Sequence, residues 1–205
     1  MDTKKLPHSP KLKSVDIPLE ASKSESNRAL IINAISGNRS VIRNLSNARD
    51  TQTMLRLLSS EETTLDVLDA GTTMRFLTAY SILGEQPKIL TGTERMQQRP
   101  IHILAKSLKQ LGAKIKYLNE EGFPPLRIKP LEHQKTNRLS IRGDVSSQFI
   151  SALLMIAPAL PQGLSLELKG KVGSRPYIQM TLDMMRLFGV QSNWTNNTIE
   201  IAPQS

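Results

Sequence analysis

Ser146-Ser147-Gln148-Phe149-Ile150-Ser151-Ala152-Leu153-Leu154-Met155-Ile156-Ala157-Pro158-Ala159 is the stretch on which the fold turns. Its apolar residues, from Phe149 to Ala157, run round nearly the whole circumference of a helix. Such a helix is buried on all sides. Sheets must then cover the helix, rather than the helix covering one face of a sheet. Methionine and leucine at helical spacing here are core, not a cofactor-binding stripe.

Outward from this helix the sequence repeats itself. Leu111-Gly112-Ala113-Lys114-Ile115-Lys116-Tyr117 leads to Leu126-Arg127-Ile128-Lys129-Pro130, and Phe188-Gly189-Val190-Gln191-Ser192-Asn193-Trp194 leads to Ile199-Glu200-Ile201-Ala202-Pro203. Both read as helix end, glycine stop, hairpin and proline. Each is preceded by helix, strand, helix, so a βαβαββ unit is used more than once. The patterns predict helices over 22–36, 50–59, 71–83, 100–111, 146–159 and 176–188. Pro100 suits a first helical position. Strands are predicted over 40–45, 63–67, 88–91, 138–142 and 164–168, with hairpins over 113–118/126–129 and 190–194/198–201. A first unit, from Ser22 to about Val67, has its hairpin curtailed. Residues 1–14 read as a flexible tail, Val15–Leu19 as a short strand, and 15–205 as the folded part.

With 205 residues the chain can bury a substantial core. It has no cysteine, so disulfides, thiolate metal sites and a cysteine nucleophile are excluded. Residues 1–7 lack the apolar core of a signal peptide, and no run approaches a membrane span. A cytoplasmic protein with no membrane partner is the expectation. The net charge is +9. It suits either nucleic acid or a pocket for a multiply anionic small molecule. Aromatics are only 4% and the basic residues are spread along the chain, which makes nucleic acid the weaker reading.

Ser22-Lys23-Ser24-Glu25-Ser26-Asn27-Arg28 puts a lysine, hydroxyls and an arginine just ahead of an apolar run. Ser22 suits an N-cap with Glu25 three residues on. Lys23, Ser24 and Arg28 then sit near free N–H groups and the positive end of the helix dipole. Cations there call for a compensating anion, a phosphate or carboxylate; a capped surface helix with solvated charges is the alternative. Three other segments place small polar groups before a helix: Asp69-Ala70-Gly71-Thr72-Thr73-Met74-Arg75, Gly143-Asp144-Val145-Ser146-Ser147-Gln148 and Gly173-Ser174-Arg175-Pro176-Tyr177. Singly each is a plain cap. In repeated units they would aim several helix N-termini at one locus. Arg95 and Arg99 precede a further helix, and Arg99 beside Pro100 is the better candidate for bidentate anion recognition. There is no phosphate-loop motif. His8, His102 and His133 are scattered without metal-ligand spacing.

Taken together, SKSESNRALI, LDAGTTMRFL, ERMQQRPI, GDVSSQFISALLM and GSRPYIQMTLDMM resemble, in order, the enolpyruvyl transferase family, and within it the EPSP synthases. The resemblance covers nearly everything after the tail. It implies an α/β (α+β) fold, an inside-out barrel-like domain of three βαβαββ units with helices buried and sheets outside. It implies transfer of the enolpyruvyl group of phosphoenolpyruvate to the 5-hydroxyl of shikimate 3-phosphate, with no metal or organic cofactor. By motif, Lys23 should contact phosphoenolpyruvate, Gly71 and Arg99 should line its site, and Thr72 is a further substrate-binding candidate. Ser24 and Arg28 should hold the carboxylate of shikimate 3-phosphate, and Ser146, Ser147 and Ser174 its phosphate. Gln148 should lie between the two ligands and Tyr177 near the ring; Lys23 and Gln148 are the candidate catalytic groups. The family's usual asparagine is Asp69 here, and the usual proline after Met-Arg is Phe76. The family enzyme is roughly twice this length and draws its remaining acid/base groups from a second domain. The chain alone is therefore expected to bind shikimate 3-phosphate with negligible turnover. A non-catalytic binding or regulatory module of the same fold is the alternative.

Overall fold

The computed structural model describes Asp16 and residues 19–204. The expected tail over 1–14 and most of the expected strand Val15–Leu19 lie outside the described residues. Seven α-helices and eight strands follow in order: α1 (Lys23–Ile35), α2 (Arg49–Leu58), β1 (Thr64–Asp66), α3 (Gly71–Tyr80), β2 (Lys88–Thr91), α4 (Glu94–Gln97), α5 (His102–Leu111), β3 (Ile115–Tyr117), β4 (Leu126–Ile128), β5 (Arg138–Arg142), α6 (Ser147–Ile156), β6 (Leu164–Lys169), α7 (Arg175–Leu187), β7 (Ser192–Thr195) and β8 (Thr198–Ile201). Short 3₁₀ turns, Ser81–Leu83 and Ala157–Ala159, extend α3 and α6.

The strands form two four-stranded sheets, ordered β1-β2-β4-β3 and β5-β6-β8-β7. In each, a parallel pair is bridged by a helix, α3 or α6. In each, a hairpin then adds antiparallel to the second strand of that pair. Two units of one topology are what the repeated glycine-stop-and-hairpin pattern predicted. Strand β5 alternates exposed and buried residues, so that sheet turns one face to the core. Every residue of α6 from Phe149 to Ile156 is buried, as its all-round apolarity required. Helix α3 is buried from Gly71 to Ala79. One hydrophobic cluster joins both helices to both sheets.

The glycine stops are steric requirements as well as sequence signals. Gly112 ends α5 at φ 114°, and a β-carbon there would run into the carbonyl oxygen of His133. Gly112→Ala should cost about 2–3 kcal/mol through left-handed strain and that backbone clash. The midpoint of urea unfolding would register it.

Three expectations fail, over 40–45, at 63–67 and at Pro100. Ser40–Leu45 is not a strand: Asn38 and Asn44 take positive φ, Val41 is 87% exposed, and no described strand lies alongside to complete a ladder. The strand at 63–67 forms as β1 but pairs parallel with β2, so it opens the second unit rather than closing the first. The first unit is thus α1 and α2 without a sheet of its own among the described residues. The two sheets are separate and open among the described residues. Pro100 is not the first residue of α5, which starts at His102. The Ile101 N–H donates to Gly122 O, which ties that residue to a loop, while Thr93 caps the separate turn α4. No described helix is long and apolar enough to cross a membrane.

Candidate anion site at the helix N-termini

The N-terminal ends of α1, α3, α6 and α7 meet at one face. Gln148 Nε2, at the start of α6, donates to Thr72 Oγ1 at the start of α3 (3.1 Å). The loops entering α6 and α7 are joined by Gly173 N–H to Gly143 O (2.9 Å), which sets the segments carrying Ser146 and Ser174 side by side. Tyr177, in the first turn of α7, has its ring 6.0 Å from the Arg28 guanidinium carbon of α1.

The four ends are capped differently. Ser22 accepts from Glu25 N–H at 3.3 Å, and Ser146 from Gln148 N–H at 3.4 Å. Helices α3 and α7 have no side-chain cap bond. Ser174, the N-cap of α7, sits at φ 39° and ψ 32°, a left-handed conformation that costs a non-glycine residue of order 1 kcal/mol or more. Uncapped N–H groups at these ends favour an anion.

Arg28 is the best-defined group of the site. It is 2% exposed. Its Nε donates to Thr181 Oγ1 (2.7 Å), Nη2 to Ser151 Oγ (3.0 Å) and Nη1 to Ser24 O (2.9 Å). Thr181 gives its own proton to Tyr177 O (2.9 Å), so Ser151 donates in the 2.8 Å contact between the two hydroxyls. A guanidinium has five N–H groups. Three are used, leaving one on each terminal nitrogen. No carboxylate lies within ion-pair distance of Arg28 among the described residues. Burial brings its pKa down to about 10, so it stays charged at neutral pH.

A second cationic cluster stands at α3. The Arg99 guanidinium lies directly over Gly71, where a β-carbon would come within 2.7 Å of its Cζ. Arg75, 7% exposed, donates to Gly71 O at 2.8 Å and stacks 5.4 Å from the Phe149 ring. Burial, then repulsion from Arg99, brings its pKa down to about 10. Asp69 accepts from Thr93 Oγ1 at 2.6 Å, tying the loop before α3 to the α4 turn that leads to Arg99.

Lys23 is exposed and pairs with Asp50 at the start of α2 (Nζ to Oδ2 3.8 Å), not with another candidate residue. Ser24 engages Arg28 through its carbonyl, and Ser147 is half-buried in the first turn of α6. Sequence reasoning passed over Asp50, Ser151 and Thr181, and quoted Arg75 in the segment opening α3 without giving it a role. Only Ser151 left a plain signal, as a hydroxyl within an otherwise apolar helix.

The sequence profile of EPSP synthase (3-phosphoshikimate 1-carboxyvinyltransferase) matches residues 9–60 and 56–205. The chain belongs to the EPSP synthase family. A 3-phosphoshikimate 1-carboxyvinyltransferase of Bacteroides fragilis (strain YCH46) is 53% identical over 191 residues, covering 92% of this chain and 46% of that protein. One from Salmonella schwarzengrund (strain CVM19633) is 38% identical over 201 residues, covering 85% of this chain and 47% of its own length. The EPSP synthase of Acinetobacter baumannii superposes with a TM-score of 0.75 at 18% identity, over 92% of this chain and 47% of that one. At that identity the superposition speaks for the EPSP synthase fold, a mixed α/β architecture. The chain spans about half the length of the curated EPSP synthases it matches.

Proposed function

We propose that this chain is the shikimate 3-phosphate-binding half of a cytoplasmic EPSP synthase. The observation that carries the reading is Arg28: a buried, charged guanidinium with one N–H left on each terminal nitrogen and no acidic partner among the described residues. Two such N–H groups suit a carboxylate held bidentately. Ser24 shares this end of the site, and Tyr177 flanks the sugar-like ring. Ser146, Ser147 and Ser174, at the adjoining starts of α6 and α7, hold the substrate phosphate. Lys23, Arg99 and the uncapped start of α3 at Gly71 and Thr72 take phosphoenolpyruvate, with Gln148 between the two ligands.

In the reaction the 5-hydroxyl gives up its proton to a base as its oxygen bonds to C2 of phosphoenolpyruvate, and the methylene carbon of phosphoenolpyruvate takes a proton. The tetrahedral adduct then loses phosphate and a methyl proton. Cations fixed beside the leaving phosphate stabilise the charge that develops there. The helices buried between outer sheets, in the manner of an inside-out barrel, are the frame that aims their N-termini at this face. Residues 15–205 act as one substrate-binding domain. The remaining acid/base groups belong to the other half of the family enzyme, so this chain alone turns over negligibly. No nucleic acid, membrane or cofactor enters this reading.

Calorimetric titration with shikimate 3-phosphate tests it. Saturable binding is expected, with shikimate lacking the phosphate bound far more weakly. No heat from shikimate 3-phosphate, or equal binding of both compounds, would overturn the reading.

A further inference from the structure

Arg28 is held charged in the core without a counter-ion among the described residues. Its polar partners are two hydroxyls and a carbonyl, all neutral. Burying a cation under such conditions is costly, so something besides hydrogen bonding must offset the loss of water. The Phe76 ring, fully buried in α3, has its centroid 5.4 Å from the Arg28 guanidinium carbon. The Tyr177 ring is farther, at 6.0 Å, and is 46% exposed. A ring face attracts a cation through its quadrupole, most strongly when water is excluded, and carries no net charge. A carboxylate at the same place would hold Arg28 equally well. It would also neutralise it and compete with any incoming anion.

We infer that Phe76 is a positioning residue for Arg28: its ring keeps the guanidinium charged and oriented without a counter-ion, which leaves the charge for an anionic ligand. The inference rests on reading Arg28 as the carboxylate-binding group, but its primary test does not involve ligand. Phenylalanines carrying one, two and three ring fluorines at position 76 keep nearly the same shape while draining electron density from the ring face. In the Arg28 chain, Tm should fall stepwise with fluorine number. In the Arg28→Met chain it should stay level. A level series in both, or parallel falls in both, would mean Phe76 is ordinary core and would overturn the inference.

A second readout is the Arg28 Nε–H signal in proton–nitrogen NMR. Ring current should displace it upfield, and Phe76→Leu should move it back; an unmoved signal counts against the inference. Phe76→Leu should also weaken shikimate 3-phosphate binding about tenfold, and unchanged affinity would contradict the positioning role. If the unaltered chain fails to bind shikimate 3-phosphate at all, the functional reading alone falls, because the fluorine series is independent of ligand.

Discussion

Arg28→Met should make the chain more stable and unable to hold its ligand. Burial holds the Arg28 pKa well below the usual guanidinium range, at about 10, which corresponds to about 3 kcal/mol of stability forgone at neutral pH. Methionine removes that penalty and still fills the space between Phe76 and Tyr177. Three hydrogen bonds go with the guanidinium. Ser151 and Thr181 nevertheless keep their bond to each other, and Thr181 keeps its bond to Tyr177 O. A net gain of about 1–3 kcal/mol is expected, by the reasoning that apolar replacement of a buried charge is often stabilising. Shikimate 3-phosphate affinity should fall about 100-fold or more with loss of the charged fork.

The pH dependence of the same pair of chains checks the cause. The folded pKa, about 10, lies below the unfolded one, so the native state binds fewer protons from about pH 10 up to the usual guanidinium range. The destabilisation by Arg28 is full below pH 10 and is relieved as pH rises through that window. The stability difference between Arg28→Met and the parent should therefore shrink from pH 9 to pH 12. Chemical unfolding across that range measures it. A constant difference would show that lost packing, rather than lost charge, separates the two chains.

Gly71→Ala should leave the fold nearly intact and disable the end of the site proposed for phosphoenolpyruvate. The new β-carbon would overlap the Arg99 guanidinium, with both Cζ and Nη2 at 2.7 Å. That guanidinium is the far end of an exposed, flexible side chain, so it can swing away at little cost. Stability should change by about 1 kcal/mol or less. Displacing Arg99 removes one of two cations stacked on an uncapped helix start. Phosphoenolpyruvate binding to the shikimate 3-phosphate complex should weaken about 10- to 100-fold, measured by calorimetry. Shikimate 3-phosphate binding alone should hardly change, because Arg28, Ser146 and Ser174 lie on other elements. A collapse of both affinities would place Gly71 in the structural frame instead.

Local chemistry made much of this molecule legible. Ser22 and Ser146 are N-caps because a serine hydroxyl reaches the N–H two or three residues on, whatever the rest of the chain does. The burial of α6 followed from eight consecutive residues with a single polar member, Ser151. The repeated glycine-stop-and-hairpin pattern foretold two sheets of one topology. Arg28, Gly71, Gln148 and Ser174 were picked out as candidates from short segments around helix starts, and the structure brings those segments to one face.

The rest depended on partners far away in sequence. Ser40–Leu45 has the composition of a strand, but a strand is stabilised by a neighbour's hydrogen bonds, and none is placed there. Whether 63–67 closes the first unit or opens the second is likewise decided by β2, which takes it in parallel register. Arg28 is bonded to Ser151 and Thr181, 123 and 153 residues further on, and faces a phenylalanine from a third helix. The sequence by itself determined where helices begin, which are buried and that a unit repeats, since caps, periodicity and glycine stops act within a few residues. Only the tertiary structure decided which strands pair and which cation is stripped of water, because pairing and desolvation arise from elements that meet only on folding.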